Sequence, residues 1–88
     1  MLKDEELEAF RKLLDDQYDW PADYLFKFVV PYDQVSKVEA LFPDQKVSLR
    51  ASAKGNYVSV TVTMMLESPD VVVAIYQQAS KIPGLLSL

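Results

Sequence analysis

The side chains that could do chemistry in this sequence are few, because it contains no histidine and no cysteine. Without histidine it lacks the most common general base and metal ligand, and without cysteine it lacks thiolate nucleophiles, thiolate zinc sites and disulfides. Ser52, Ser59 and Ser68 offer hydroxyl groups, but each is expected to serve as a strand-face or helix-capping residue. The sequence therefore predicts no catalytic residue and no enzyme activity of its own.

Carboxylates are concentrated near the start of the chain, where residues 1–23 hold eight acids and three bases, a net charge of −5. Asp15, Asp16, Asp19 and Asp23 are close in sequence, but they lack the alternating acidic order and the distal glutamate of a calcium loop. No glycine-rich phosphate-binding loop is present either. We therefore expect a solvated acidic segment, with no metal site and no cofactor site.

One polar cluster surrounds a predicted turn between two strands. Its members, which we take as the candidate interaction or anion-binding surface, are Arg50, Ser52, Lys54, Gly55, Asn56, Tyr57 and Ser59. Backbone N–H groups and a cation in such a turn can meet an anion. The alternative is a plain hairpin turn in which Gly55 supplies a positive φ, and the sequence leaves both interpretations open.

The elements that would position this cluster follow from two periodicities, alternation in strands and an apolar stripe in helices. They are a helix over 4–16, a strand over 24–30, a helix over 35–42 capped by Asp33, strands over 46–53 and 57–66, a helix begun by Ser68-Pro69 and ended by Pro83-Gly84, and a closing strand over 85–88. This order predicts one α+β domain, residues 1–88. An N-terminal helix over 1–17 precedes a ferredoxin-like β-α-β-β-α-β body over 18–88, with both body helices on one face of an antiparallel sheet.

The two strands with the strongest apolar alternation should lie at the centre of the sheet. The side chains expected beneath the helices are Phe26, Phe28, Val58, Val60, Val62 and Met64, and those expected on the opposite, open face are Lys27, Tyr57, Ser59, Thr61 and Thr63. This parity argues against RNA binding, because RNA-recognition motifs expose aromatic side chains from their central strands. With a net charge of −4 as well, no nucleic-acid partner is predicted.

The chain shows no sign of a membrane segment. No stretch approaches the roughly 18 apolar residues of a membrane span, and Met1-Leu2-Lys3 runs directly into acidic residues without an apolar signal region. Together with the absence of cysteine, these features predict a cytoplasmic protein without a membrane partner.

Two blocks of the sequence are similar to a known family. Trp20-Pro21-Ala22-Asp23-Tyr24-Leu25-Phe26-Lys27 and, more specifically, Ser52-Ala53-Lys54-Gly55-Asn56-Tyr57-Val58-Ser59-Val60 resemble the YbeD-like family of small uncharacterised bacterial proteins. The resemblance covers about residue 18 to the C-terminus. It implies a ferredoxin-like fold similar to the ACT regulatory domains of metabolic enzymes, a regulatory role and an association with lipoate metabolism. It carries over no catalytic residue.

Two hypotheses about function follow. The first is a non-catalytic regulatory or adaptor module that acts by protein association, through the open face and through edge strands such as Leu85–Leu88. Its partner is unknown, and self-association is the simplest version. The alternative is an ACT-like sensor that binds a small anionic metabolite or an amino acid near Arg50, Lys54 and Gly55.

Overall fold

The computed structural model describes residues 4–87, and within them the chain forms three α-helices and one four-stranded antiparallel sheet. The elements are α1 (Asp4–Gln17), β1 (Ala22–Pro31), a 3-10 helix (Tyr32–Gln34), α2 (Val35–Glu39), β2 (Ser48–Ala51), β3 (Tyr57–Leu66), α3 (Pro69–Ala79) and β4 (Leu86–Ser87). The strand order is β2-β3-β1-β4. The predicted α+β class is confirmed. The expectations for residues 1–3 and for Leu88 lie outside the described residues.

β1 and β3 are the two central strands, as their alternation predicted. They pair antiparallel over ten positions, from Ala22 opposite Leu66 to Pro31 opposite Tyr57. Because side chains alternate across a strand, this register puts the even-numbered residues of both strands on the same face. Those residues are buried in the middle of both strands, and Phe26 and Phe28 have no exposed surface.

All three helices cover this face and contribute to a single core. The buried apolar residues are Leu14 from α1, Val38 from α2, Val72 and Ala79 from α3, Phe26, Phe28 and Val30 from β1, Val58, Val60, Val62 and Leu66 from β3, and Phe42, Ile82 and the partly buried Met64 beside them. At about 0.8 kcal/mol per buried methylene, this burial provides most of the driving force for folding. The predicted core is therefore confirmed, with Met64 only half-buried.

α1 is held against α3 as well as against the sheet. The ring of Phe10 meets that of Tyr76 edge-on, with centroids 5.4 Å apart, and Leu14 is buried in the common core. Arg11 forms an ion pair with Glu8 and lies 3.7 Å from the carboxylate of Asp70 on α3. Both pairs are exposed, so aromatic and aliphatic packing contributes more than charge to the position of α1.

Several predicted elements are shorter than expected. The helix predicted to end at Pro83-Gly84 ends at Ala79, because the backbone N–H groups of Lys81 and Ile82 bond to Gln78 and Ala79 in the i to i−3 pattern. The closing strand predicted over 85–88 is described at Leu86–Ser87.

The helix predicted over 35–42 ends at Glu39, because the backbone N–H of Leu41 bonds to Val38 at 3.0 Å, in the tighter i to i−3 pattern that closes a helix before Pro43. Asp33 does not cap this helix, since it lies within the preceding 3-10 helix and no side-chain cap bond forms. The strand predicted over 46–53 is reduced to four residues, Ser48–Ala51. Apolar and polar residues alternate over the whole predicted range, but only these four pair with β3.

Candidate functional site

The face of the sheet away from the helices carries the residues that sequence analysis singled out. In β1 and β3 this face shows Lys27 opposite Thr61 and Val29 opposite Ser59. The edge strands extend the second row at both ends, with Arg50 of β2 opposite Ser59 and Leu86 of β4 opposite Val29. No helix among residues 4–87 contributes a buried residue to this side, so we call it the open face.

Several large apolar side chains project from the open face. They are Leu25 (55% exposed), Tyr57 (48%), Met65 (63%) and Leu86 (61%). Polar residues in the middle of the face, such as Thr61 and Lys27, separate them into two groups, one at each end of the central strands. Protein interfaces commonly have an apolar centre and a polar rim, so this face offers two separate apolar groups that a partner can contact.

The candidate cluster falls into two parts in the folded chain. Arg50, Ser52, Tyr57 and Ser59 line a shallow depression of about 300 Å³ on the open face, together with Val29, Ala51 and Ala53. Lys54, Gly55 and Asn56 form the tip of the β2–β3 turn and do not line it. Arg50 is therefore the single cationic side chain in the lining.

The turn itself is organised by hydrogen bonds that also involve Ser52. Gly55 adopts φ +73° and donates its backbone N–H to the carbonyl of Ser52 at 2.9 Å. The backbone N–H of Tyr57 donates to the Ser52 hydroxyl oxygen at 3.3 Å, and the backbone N–H of Ser52 donates to the Tyr57 carbonyl at 2.8 Å. The hairpin interpretation thus accounts for Ser52 and Gly55, and Arg50, Tyr57 and Ser59 line the depression with side chains that the turn does not use.

A larger depression, which sequence analysis did not predict, lies between α1, α3 and β4. We call it the edge groove, and it has a volume of about 700 Å³. Its lining consists of Asp4, Leu7, Phe10, Tyr24, Tyr76, Gln77, Ser80, Leu85, Leu86 and Ser87. The volume lies within the range of about 300–1,000 Å³ that is typical of ligand sites.

Two tyrosine hydroxyls meet in the lining of the edge groove. The hydroxyl oxygens of Tyr24 and Tyr76 lie 3.2 Å apart, and either can donate the hydrogen bond. Burial, and then the hydrogen bond to Tyr76, raises the pKa of Tyr24 above its ordinary value, so the Tyr24 hydroxyl stays protonated and neutral at neutral pH. The groove therefore combines aromatic walls with a hydrogen-bonded pair of hydroxyl groups.

Local sequence patterns do not predict the edge groove, and the reason is physical. Leu7, Phe10 and Tyr76 follow helical apolar periodicity, which predicts burial but does not indicate whether the facing space is filled. That space depends on how far β4 runs beside β1, and the described part of β4 is two residues long. No local signal marks the groove, since α1 and α3 each contain a single aromatic residue, Phe10 and Tyr76.

No three carboxylates in the range 4–87 are arranged to hold a metal ion, and no helix there is long and apolar enough to cross a membrane. The chemistry of the two candidate surfaces comes from their apolar side chains, from Arg50 and from the hydroxyl groups of Tyr24 and Tyr76.

A comparison with protein families supports the resemblance found in the sequence. The family model described as "Protein of unknown function (DUF493)" matches residues 15–87. The chain belongs to this family. DUF493 is the YbeD family of small uncharacterised proteins. The matched residues include the whole sheet together with α2 and α3. Residues Asp4, Leu7 and Phe10 of the edge groove lie outside the DUF493 match. No match was found among curated proteins or among solved structures.

Proposed function

We propose that this DUF493 protein is a non-catalytic regulatory or adaptor module that acts by protein association through its open face. The observation that carries the proposal is the packing of all three helices on one side of the sheet, which leaves Leu25, Tyr57, Met65 and Leu86 exposed on the other. The architecture proposed for it is ferredoxin-like and similar to ACT domains. The strand order β2-β3-β1-β4, with α2 and α3 on one face, supports that assignment. The proposed location is the cytoplasm.

The size of the open face favours a transient association. The four strands contain 10, 4, 10 and 2 residues, so at about 3.4 Å per residue and 4.8 Å between strands the footprint is roughly 430 Å². A stable interface of standard size buries about 800 Å² on each partner. Even when the β2–β3 turn is added to this footprint, the area of the open face matches a weak, reversible contact better than a permanent one.

Substitutions on the open face should weaken association without unfolding the protein. We expect Tyr57→Asp to weaken association at least tenfold, because it places a charge at the most exposed aromatic anchor of the face. Lys54→Glu, at the tip of the turn, should weaken it by a smaller factor. Sedimentation velocity over a concentration series measures self-association, and quantitative capture from lysate measures binding to other proteins.

The matched control is Leu13→Asp, which changes an apolar residue of similar exposure, 53%, on α1. It introduces the same charge on the other side of the molecule, so it should leave association unchanged. Circular dichroism verifies that all variants remain folded. If Tyr57→Asp and Lys54→Glu both associate like the wild type, the open face is not the interaction surface.

A second candidate function is an ACT-like sensor of a small anionic metabolite or amino acid, and the depression around Arg50 favours it. We expect Arg50→Ala to reduce the thermal stabilisation by such a ligand, whereas Lys54→Ala, outside the lining, should have a smaller effect. A ligand at ten times its dissociation constant adds roughly 1.4 kcal/mol, or about 6 to 11 °C in a domain of this size. Thermal unfolding against amino acids, lipoate-related acids and nucleotides measures it. A flat panel argues against the sensor.

A further inference from the structure

The edge of β1 that faces away from β3 has no partner strand along Ala22–Phe26, half of the strand, in the described part of the chain. β1 pairs with β3 at all ten positions, but on its other side only Phe28 and Val29 have partners, Ser87 and Leu86 of β4. No described backbone hydrogen bond joins Ala22–Phe26 to a residue outside β3. Because N–H and C=O groups along a strand point alternately to its two sides, this edge presents unpaired groups that can template another strand.

The edge groove lies directly beside this unpaired edge. Tyr24, in the middle of Ala22–Phe26, lines the groove, and so do Leu86 and Ser87, where β4 ends within the described residues. Side chains of a strand alternate between the two faces of the sheet. An added strand that continued the line of β4 along β1 would therefore direct every second side chain into the groove.

We propose that the outer edge of β1, from Ala22 to Phe26, binds an extended segment of a partner protein as an added strand whose apolar side chains enter the edge groove. Five residues span about 17 Å, a common strand length. The inference rests on the association function proposed above, and adds to it a second surface and the chemistry of the partner. Main-chain hydrogen bonds supply affinity in this mode of recognition, and the side-chain sites supply specificity.

The side chains of β1 determine what the partner segment must contain. Residues directly opposite one another in paired strands have Cβ atoms about 4.5–5.5 Å apart. The partner residue opposite Tyr24 enters the aromatic groove and should be apolar, and the residue opposite Leu25 should be apolar too, because Leu25 is 55% exposed. The residue opposite Asp23, an exposed carboxylate, should be Lys or Arg.

Charge in and around the groove points the same way. The lining contains the carboxylate of Asp4 and no basic side chain, and Glu5 and Glu6 follow in the first turn of α1. An acidic peptide would be repelled at this end of the molecule. The partner segment is therefore apolar and basic, in contrast to the anionic ligand considered for the depression at Arg50.

The test uses the full chain and the peptide acetyl-Val-Val-Leu-Lys-Thr-amide, which runs antiparallel to β1 and places Leu opposite Tyr24 and Lys opposite Asp23. We expect titration by NMR to shift the backbone amides of residues 22–26, and peptide binding to slow hydrogen exchange there at least tenfold. A peptide with Glu in place of Lys should bind about two- to fivefold more weakly, the usual range for a cross-strand charge pair. The Asp23→Lys variant should reverse this preference.

Two tryptophan substitutions test the groove. Gln77→Trp, in the lining, should fill it and weaken the peptide at least fivefold, whereas Gln78→Trp, exposed on the same helix but outside the lining, should not. The proposal is overturned if neither peptide shifts the amides of residues 22–26, or if the charge preference does not reverse in Asp23→Lys. It is also overturned if the edge pairs only with a second copy of the chain, seen as a concentration-dependent shift without peptide. Tyr57→Asp should not affect the peptide, so this test can fail independently of the open face.

Discussion

Phe26→Ala should cost about 3–5 kcal/mol of the free energy of unfolding, the usual range for removing a fully buried aromatic ring. Phe26 has no exposed surface, and its ring lies among those of Tyr24, Phe28, Phe42 and Tyr76, with centroid distances between 4.9 and 6.0 Å. Aromatic pairs of this kind add about 0.5–1.5 kcal/mol beyond the area that they bury. The substitution removes four of them and leaves a cavity between the sheet and the helices.

The magnitude matters because the whole domain is only marginally stable. At about 0.05–0.15 kcal/mol per residue, 88 residues correspond to roughly 4–13 kcal/mol. The variant should therefore be close to unfolding, which urea titration followed by circular dichroism measures. Met65→Ala, which truncates a side chain that is 63% exposed on the open face, should change the free energy of unfolding by about 0.5 kcal/mol or less. A cost below about 1.5 kcal/mol for Phe26→Ala would contradict its place at the centre of the core.

Gly84→Ala should destabilise the protein by about 2–5 kcal/mol, and clearly more than Gly55→Ala. Both glycines have similar positive φ angles, +76° and +73°, so both substitutions carry the same backbone strain of roughly 1–2 kcal/mol. They differ in the surrounding space. A Cβ at Gly84 would lie 2.7 Å from Cγ of Pro31, whereas a Cβ at Gly55 meets nothing within 4 Å. Overpacking of this kind adds roughly 1–3 kcal/mol.

The contact with Pro31 also explains where the damage should appear. Gly84 precedes β4, and Pro31 is the last residue of β1, so pushing them apart should separate β4 from β1. Hydrogen exchange of the Val29 and Leu86 amides should report this before global unfolding does. In a double-mutant cycle, Pro31→Ala should recover part of the loss caused by Gly84→Ala but none of that caused by Gly55→Ala. Equal costs for the two glycine substitutions would show that only backbone strain matters.

The sequence predictions agree best with the structure where a local pattern is compatible with only one type of secondary structure. The strand predicted over 57–66 is β3 residue for residue, because its valines alternate with hydroxyl residues and no other period fits ten positions. The family resemblance, on two blocks within residues 20–60, is confirmed by the match over residues 15–87. The candidate cluster was partly resolved from sequence, since the turn at Gly55 was predicted but the separation of Arg50 from Lys54 was not.

The largest difference concerns the end of the chain and the space beside it. A closing strand was predicted from the apolar residues 85–88, and the described part of it pairs with β1 at two positions only. Two residues have no periodicity, so their pairing depends on contacts made elsewhere, including the approach of Gly84 to Pro31. In the same way, the apolar stripe of α1 predicts that the helix packs against other elements, but it does not indicate which ones. In the structure they are α3 and the edge of the core.

The sequence by itself determined which side chains of β1 and β3 face the core, where β3 begins and ends, that a turn lies at Gly55, and that histidine and cysteine chemistry is absent. These are consequences of strand alternation, of proline and glycine backbone limits, and of composition, none of which requires long-range contacts. Only the tertiary structure decided that Arg50 shares a depression with Tyr57, that Ala22–Phe26 has an unpaired edge and that the edge groove opens beside it. Those features arise where elements distant in sequence meet, and their geometry depends on the relative lengths and positions of the packed elements.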